Sequence, residues 1–155
     1  MLFRSRSGNV NIGVVGAGVI GGGWAARFLL HGHDVAVYEP SAATAAALPA
    51  IIDRAARAYA GLGYDKGRGT LTMVESIDAV CDGAAIVQES VPEVIELKQK
   101  VLGAIDAASE PAAIIGSSTS GLLPTKLQES LVHPDRKSTR LNSSHERLSR
   151  MPSSA

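Results

Sequence analysis

Gly16-Ala17-Gly18-Val19-Ile20-Gly21 sets three glycines at a spacing that can bring peptide N–H groups against a phosphate. In such a turn the first glycine makes the sharp bend and the second lets backbone approach a pyrophosphate. The third lets the following helix pack closely on the preceding strand. A helix that starts here adds unpaired N–H groups and the positive end of its dipole, the contribution expected of Ala17, Val19 and Ile20. Glu39 stands 18 residues after Gly21, where a carboxylate can accept hydrogen bonds from an adenosine ribose and repel a 2′-phosphate. No basic residue lies between Glu39 and Arg54. The chemistry is dinucleotide binding, with NAD favoured over NADP.

Two further groups could complete such a site. In Gln88-Glu89-Ser90-Val91-Pro92-Glu93, Ser90 and Glu93 have the S-x-x-E spacing of a capping box, with Pro92 in the first helical turn. Glu93 also follows a strand, at the edge where ligands sit in open parallel sheets, so contact with the nicotinamide ribose is the second reading. Lys98 lies five residues on, and by charge pattern belongs to a solvated helix face. Gly116-Ser117-Ser118-Thr119-Ser120-Gly121 puts four hydroxyls in a row. These either satisfy their own turn or bond a substrate oxygen.

The elements that must carry these residues alternate. Val10–Val15 reads as a buried strand and Val19–His31 as a helix ended by Gly32. Asp34–Tyr38 is a second strand, and Ser41 caps a helix running to about Ala60. Leu71–Val74, Ala84–Gln88 and Ala112–Gly116 give three more strands. Ser76–Cys81, Pro92–Ala107 and Pro124–Leu131 give the intervening and following helices. Strands separated by helical crossovers pair in parallel, so the expected fold is α/β, a doubly wound Rossmann sheet.

Composition narrows the class. The 155 residues are 45% hydrophobic and 19% charged, enough for a core. Fifteen basic residues balance fifteen acidic ones, which gives no bulk argument for nucleic acid. No apolar run approaches the roughly 20 residues of a membrane span, so an intracellular, cytoplasmic protein is expected. The single cysteine, Cys81, excludes an internal disulfide, and no Cys/His cluster has metal-ligand spacing. The balance of charge hides a join: residues 137–155 carry a net +3 and six serines, leaving −3 on residues 1–136. Residues 1–9 read as a disordered lead, 10–136 as the nucleotide-binding domain, and 137–155 as a disordered, foreign tail.

Taken together, V-V-G-A-G-V-I-G-G-G-W, Q-E-S-V-P-E-x-x-E-L-K and S-S-T-S-G-L-L-P resemble the L-3-hydroxyacyl-CoA dehydrogenase superfamily over residues 10–136. Gln88-Glu89-Ser90 and Ser117–Pro124 are most similar to its L-carnitine 3-dehydrogenases, with gulonate 3-dehydrogenases and lambda-crystallins nearby. The resemblance implies NAD contacts from Gly16, Gly18, Gly21, Glu39, Glu93 and Lys98, and a catalytic Ser120 beside the reacting carbon. It implies oxidation of a secondary 3-hydroxyl to a ketone, on L-carnitine or a 3-hydroxyacyl-CoA. Lys66, the only lysine between Glu39 and Gln88, leaves few charges for CoA and so favours L-carnitine.

The pattern breaks after Arg136. The family's base histidine would fall at Leu141, and His145 comes four residues too late. General-base work needs hydrogen-bond reach fixed by the scaffold, which His145 lacks. The chain is therefore expected to be an NAD-binding fragment, with the sheet incomplete at its C-terminal side. It should be inactive alone, and dimeric only with the family's C-terminal helical domain. The alternative is a non-catalytic NAD-sensing module, which needs no base.

Overall fold

A computed structural model describes residues 8–64, 69–129 and 131. Five strands, β1 (Asn11–Val15), β2 (Asp34–Tyr38), β3 (Leu71–Val74), β4 (Ile86–Glu89) and β5 (Ile114–Ser117), form one sheet ordered β3-β2-β1-β4-β5. Every pairing is parallel; Val15 lies opposite Tyr38 on one side and Glu89 on the other. The doubly wound α/β class is therefore correct.

The strands alternate their buried side chains between two cores, as a period of two requires. Ile12, Val14, Val35 and Val37 face α1 (Val19–Leu30) and α2 (Ala42–Gly61), which contribute Ala25, Leu29, Leu48 and Ile52. Val15, Val87 and Ile115 face the other side. They pack with Val80 of α3 (Ile77–Cys81), Leu102 and Ile105 of α4 (Ile95–Ala108) and Leu127 of α5 (Pro124–Gln128). Ser41 caps α2 as expected, accepting from Thr44 N at 3.3 Å, and Ser76 likewise caps α3, accepting from Ala79 N at 3.1 Å.

The chain winds outward from β1 in both directions, so the strand order reverses between β1 and β4. That switch point opens a crevice at the C-terminal strand edge. The ends of β1, β2, β4 and β5 bring the glycine turn, Glu39, Glu89 and Ser117 to this one edge.

The Ser90–Glu93 capping box does not form. α4 starts at Ile95, with Val94 as its N-cap and no side-chain cap, because Ser90 and Glu93 bond to the segment after β5. Residues 1–7, Lys66, Leu141, His145 and the tail lie outside the described residues.

Candidate nucleotide-binding and substrate edge

The glycine turn has the geometry its spacing implies. Gly16 has φ +92°, its N–H donates to Tyr38 O at 2.9 Å, and a Cβ there would meet Ser90 O at 2.8 Å. A Cβ on Gly21 would run into the Gly16 carbonyl, so α1 rests directly on the turn. At Gly18 a Cβ would meet nothing within 4 Å. That open space is where a phosphate can approach backbone.

Gly22 N donates to Gly18 O at 2.7 Å and closes the first turn of α1. The N–H groups of Val19, Ile20 and Gly21 precede that bond, so they have no intrahelical acceptor. No side chain caps this end and no acid lies in the first turn. The positive end of α1 therefore faces a groove of about 330 Å³ bounded by Ala17, Gly18, Thr44, Ala47 and Ile51.

Glu39 is tied to the turn. Its Oε2 accepts from Ala17 N at 2.8 Å and its Oε1 from Ser41 N at 2.9 Å. Each carboxylate oxygen can accept more than one bond, so capacity remains for ribose hydroxyls. Ala17 is fully buried and its N–H is already engaged. It serves by holding Glu39, while the N–H groups of Val19 and Ile20 are the ones placed for an anion.

The second half of the edge is a polar network between β4, β5 and α4. Glu93 Oε1 accepts from Thr119 Oγ1 at 2.5 Å, Ser120 N at 3.0 Å and Gly121 N at 3.1 Å. Its Oε2 lies 3.7 Å from Lys98 Nζ, and its side chain is 40% exposed. Desolvation pushes the Glu93 carboxyl up. The Thr119 hydroxyl, the Gly121 and Ser120 N–H groups and the Lys98 ammonium outweigh it, so the carboxyl titrates below the ordinary 4.5. Glu93 is thus an anion with one oxygen committed to the 119–121 turn and the other facing the buried Lys98 ammonium. Ser120 is exposed beside it. Ser118 Oγ pairs with Ser90 Oγ at 2.8 Å and accepts from Gln88 Nε2 at 2.9 Å.

Lys98 does not lie on a solvated face. It is fully buried and pairs with Glu89 Oε1 at 2.8 Å. Glu89, also fully buried, is the residue that sequence reasoning missed. A carboxylate as the last residue of an apolar strand, with a lysine nine residues later, was the available signal. His31 and His33 sit at the opposite strand edge, where His31 Nδ1 meets Arg27 O and His33 Nδ1 accepts from Val10 N. Burial raises the Cys81 thiol pKa, in keeping with a packing role. Among the described residues, no group of three His, Cys, Asp or Glu could hold a metal, and no helix is long and apolar enough to cross a membrane.

The family "3-hydroxyacyl-CoA dehydrogenase, NAD binding domain" matches residues 11–140. The chain belongs to this family. NAD is accordingly its cofactor, and the unobstructed Gly18 turn with Glu39 beside it fits that group. Among relatives, the domain is 48% identical over 124 residues to the L-carnitine dehydrogenase/betainyl-CoA thioesterase of Rhizobium sp., covering 79% of this chain and 25% of that protein. It is 42% identical over 127 residues to the L-carnitine dehydrogenase of Oceanobacillus iheyensis, covering 81% and 41%. A solved structure of 5-formyl-3-hydroxy-2-methylpyridine 4-carboxylic acid 5-dehydrogenase, an NAD+ dependent dismutase, superposes with a TM-score of 0.74 at 33% identity. It covers 82% of this chain and 42% of that one. The NAD-binding domain thus spans between a quarter and about two fifths of these three proteins.

Proposed function

We propose that this domain, residues 10–136, is the NAD-binding part of a dehydrogenase that oxidises a secondary 3-hydroxyl to a ketone, with L-carnitine as substrate. The observation that carries the reading is the single strand edge that joins the open Gly18 turn and Glu39 to Glu93 and Ser120. The relatives named L-carnitine dehydrogenase support the substrate.

In this reading the N–H groups of Val19, Ile20 and Gly21 hold the pyrophosphate, beside Gly16 and Gly18. Glu39 takes the hydroxyls of the adenosine ribose, and the part-exposed Glu93 carboxylate takes those of the nicotinamide ribose. Lys98 supports Glu93 from below. Bound NAD supplies a hydride acceptor at its nicotinamide ring. Ser120, exposed at the end of the Glu93-held turn, orients the substrate oxygen next to that ring. Proton removal needs a base near pH 7 within hydrogen-bond reach. Among the described residues the two histidines lie at the far edge. Neither is placed to serve as that base, so in this reading the described residues bind NAD and do not themselves take the alcohol proton.

The test is a chimera in which residues 11–136 replace the matching segment of the Oceanobacillus enzyme. It should form NADH from L-carnitine and not from 3-hydroxybutyryl-CoA or L-gulonate. A chimera that binds NAD yet leaves L-carnitine untouched refutes the substrate. NADH formation from L-carnitine by the 155-residue chain alone refutes the need for an additional base.

A further inference from the structure

Gln88, Ser90 and Ser118 form a separate, uncharged polar group on the other face of the sheet. Side chains alternate along β4 and β5. Glu89 and Ser117 turn toward α4 and bond to each other, and Thr119 turns the same way to Glu93. Gln88 lies opposite Val14, which faces α1, and Gly116 lies beside Gln88. Ser118 follows on that face, and Ser120 is the next residue in the alternation. Ser90 joins the group beside the glycine turn, its Cβ 3.1 Å from where a Cβ on Gly21 would lie.

The Gln88 amide fixes the group. Its Nε2 donates to Glu89 O and to Ser118 Oγ, each at 2.9 Å, which uses both of its protons. Gly116 leaves room for the amide, since a Cβ there would meet Gln88 Oε1 at 2.6 Å. Ser118 Oγ and Ser90 Oγ lie 2.8 Å apart, so one hydroxyl donates to the other. The two hydroxyls carry two protons, and their mutual bond uses one. Among the described residues neither has a further protein acceptor, so one proton is left over on a half-buried pair. Holding the strand ends together does not require it, because Ser118 N already donates to Glu89 O and Ser90 N to Val15 O.

We propose that this hydroxyl pair, with Gln88 as its positioning residue, binds the carboxylate of the 3-hydroxy acid while Ser120 holds the 3-oxygen. This rests on the reading above that L-carnitine is the substrate and that Ser120 meets its reacting oxygen. Ser118 and Ser120 stand about 6.6 Å apart along an extended chain. A 3-hydroxy acid has its hydroxyl carbon and carboxyl carbon two bonds apart, so one molecule reaches both donors with a hydrogen bond at each end. A hydroxyl that donates to a carboxylate makes a charge-assisted bond, stronger than the bond to water it replaces.

The test is steady-state kinetics of the chimera described above. The double variant Ser90→Ala/Ser118→Ala removes the free proton whichever hydroxyl carries it. KM for L-carnitine should rise about tenfold, with kcat and the KM for NAD each held within about twofold. Gln88→Met keeps both hydroxyls but releases Ser118, and should raise the same KM about threefold with kcat retained. The betaine γ-trimethylammoniobutanoate has the carboxylate and no 3-hydroxyl. Its inhibition of the double variant should weaken about as much as L-carnitine binding, about tenfold, because the lost bond lies at the carboxylate.

A double variant with the parent chimera's KM for L-carnitine overturns the proposal. So does a fall in kcat as large as the rise in KM, which a displaced turn would give, or an equal loss of NAD affinity. A parent chimera that binds NAD yet leaves L-carnitine untouched refutes the substrate, and the proposal falls with it.

Discussion

Substituting Gly21 with alanine adds one carbon at the closest backbone approach in the site. The new Cβ would lie more than 1 Å inside the 3.0 Å that real Cβ atoms keep from their neighbours. The obstacle is the Gly16 carbonyl, with the Ser90 Cβ a further 3.1 Å contact, and neither is the far end of a flexible side chain. α1 must therefore retreat by about 1 Å, as overpacking requires, at about 1–3 kcal/mol. At about 4 °C per kcal/mol for a domain of this size, Tm should fall by roughly 4–12 °C. NAD affinity should fall as well, since the retreat moves the N–H groups of Val19 and Ile20. Gly18→Ala is the control with the opposite signature. Its Cβ meets nothing within 4 Å, so Tm should hold within about 2 °C while NAD affinity drops, because the methyl occupies the phosphate's space. Thermal melts with calorimetric NAD titrations read both. Gly21→Ala melting like wild type, or Gly18→Ala losing stability but not affinity, would refute the reasoning.

Glu39→Ala removes the acceptor held by Ala17 N and Ser41 N. NAD affinity should fall about 10–100-fold, the range of charge-assisted bonds, with little change for NADP; an unaltered NAD/NADP ratio by calorimetry counts against the ribose assignment. The folded Glu93 carboxyl titrates below its ordinary value, so its stabilising contribution is complete above about pH 5 and lost as pH falls through the depressed value. The Tm gap between wild type and Glu93→Gln should therefore be constant near neutrality and close in acid. A gap that widens in acid reverses the sign and contradicts the assignment. Leu29→Ala empties a fully buried position and should cost about 2–5 kcal/mol in denaturant unfolding; a cost under about 1 kcal/mol would contradict its place in the core.

The glycine turn was legible because its constraints are local. Gly16 takes a positive φ and Gly21 rests on the Gly16 carbonyl five residues back, so the spacing states that geometry, while the closeness of Ser90 to Gly16 comes only with the fold. The sheet was legible for a similar reason, since strand and helix periods alternate and crossovers force parallel pairing. Glu93 shows where local reading stops. Its spacing from Ser90 matches a capping box, yet its partners lie 26 to 28 residues away. Three donors on the 119–121 turn outcompete one cap, and α4 starts later as a result. Lys98 fails in the same way. A lone lysine on a helix reads as solvated, and only the pairing of β1 with β4 shows that Glu89 closes the strand beneath it.

The central claim is that NAD lies across one strand edge, its phosphates on the start of α1 and its two riboses at Glu39 and Glu93. Amide NMR of the 155-residue chain titrated with NAD tests it most directly. Shifts should concentrate at residues 16–21, at Glu39 and Ser41, and at residues 117–121. Shifts gathered instead at His31, His33 and Asp34, on the opposite edge, would contradict the account.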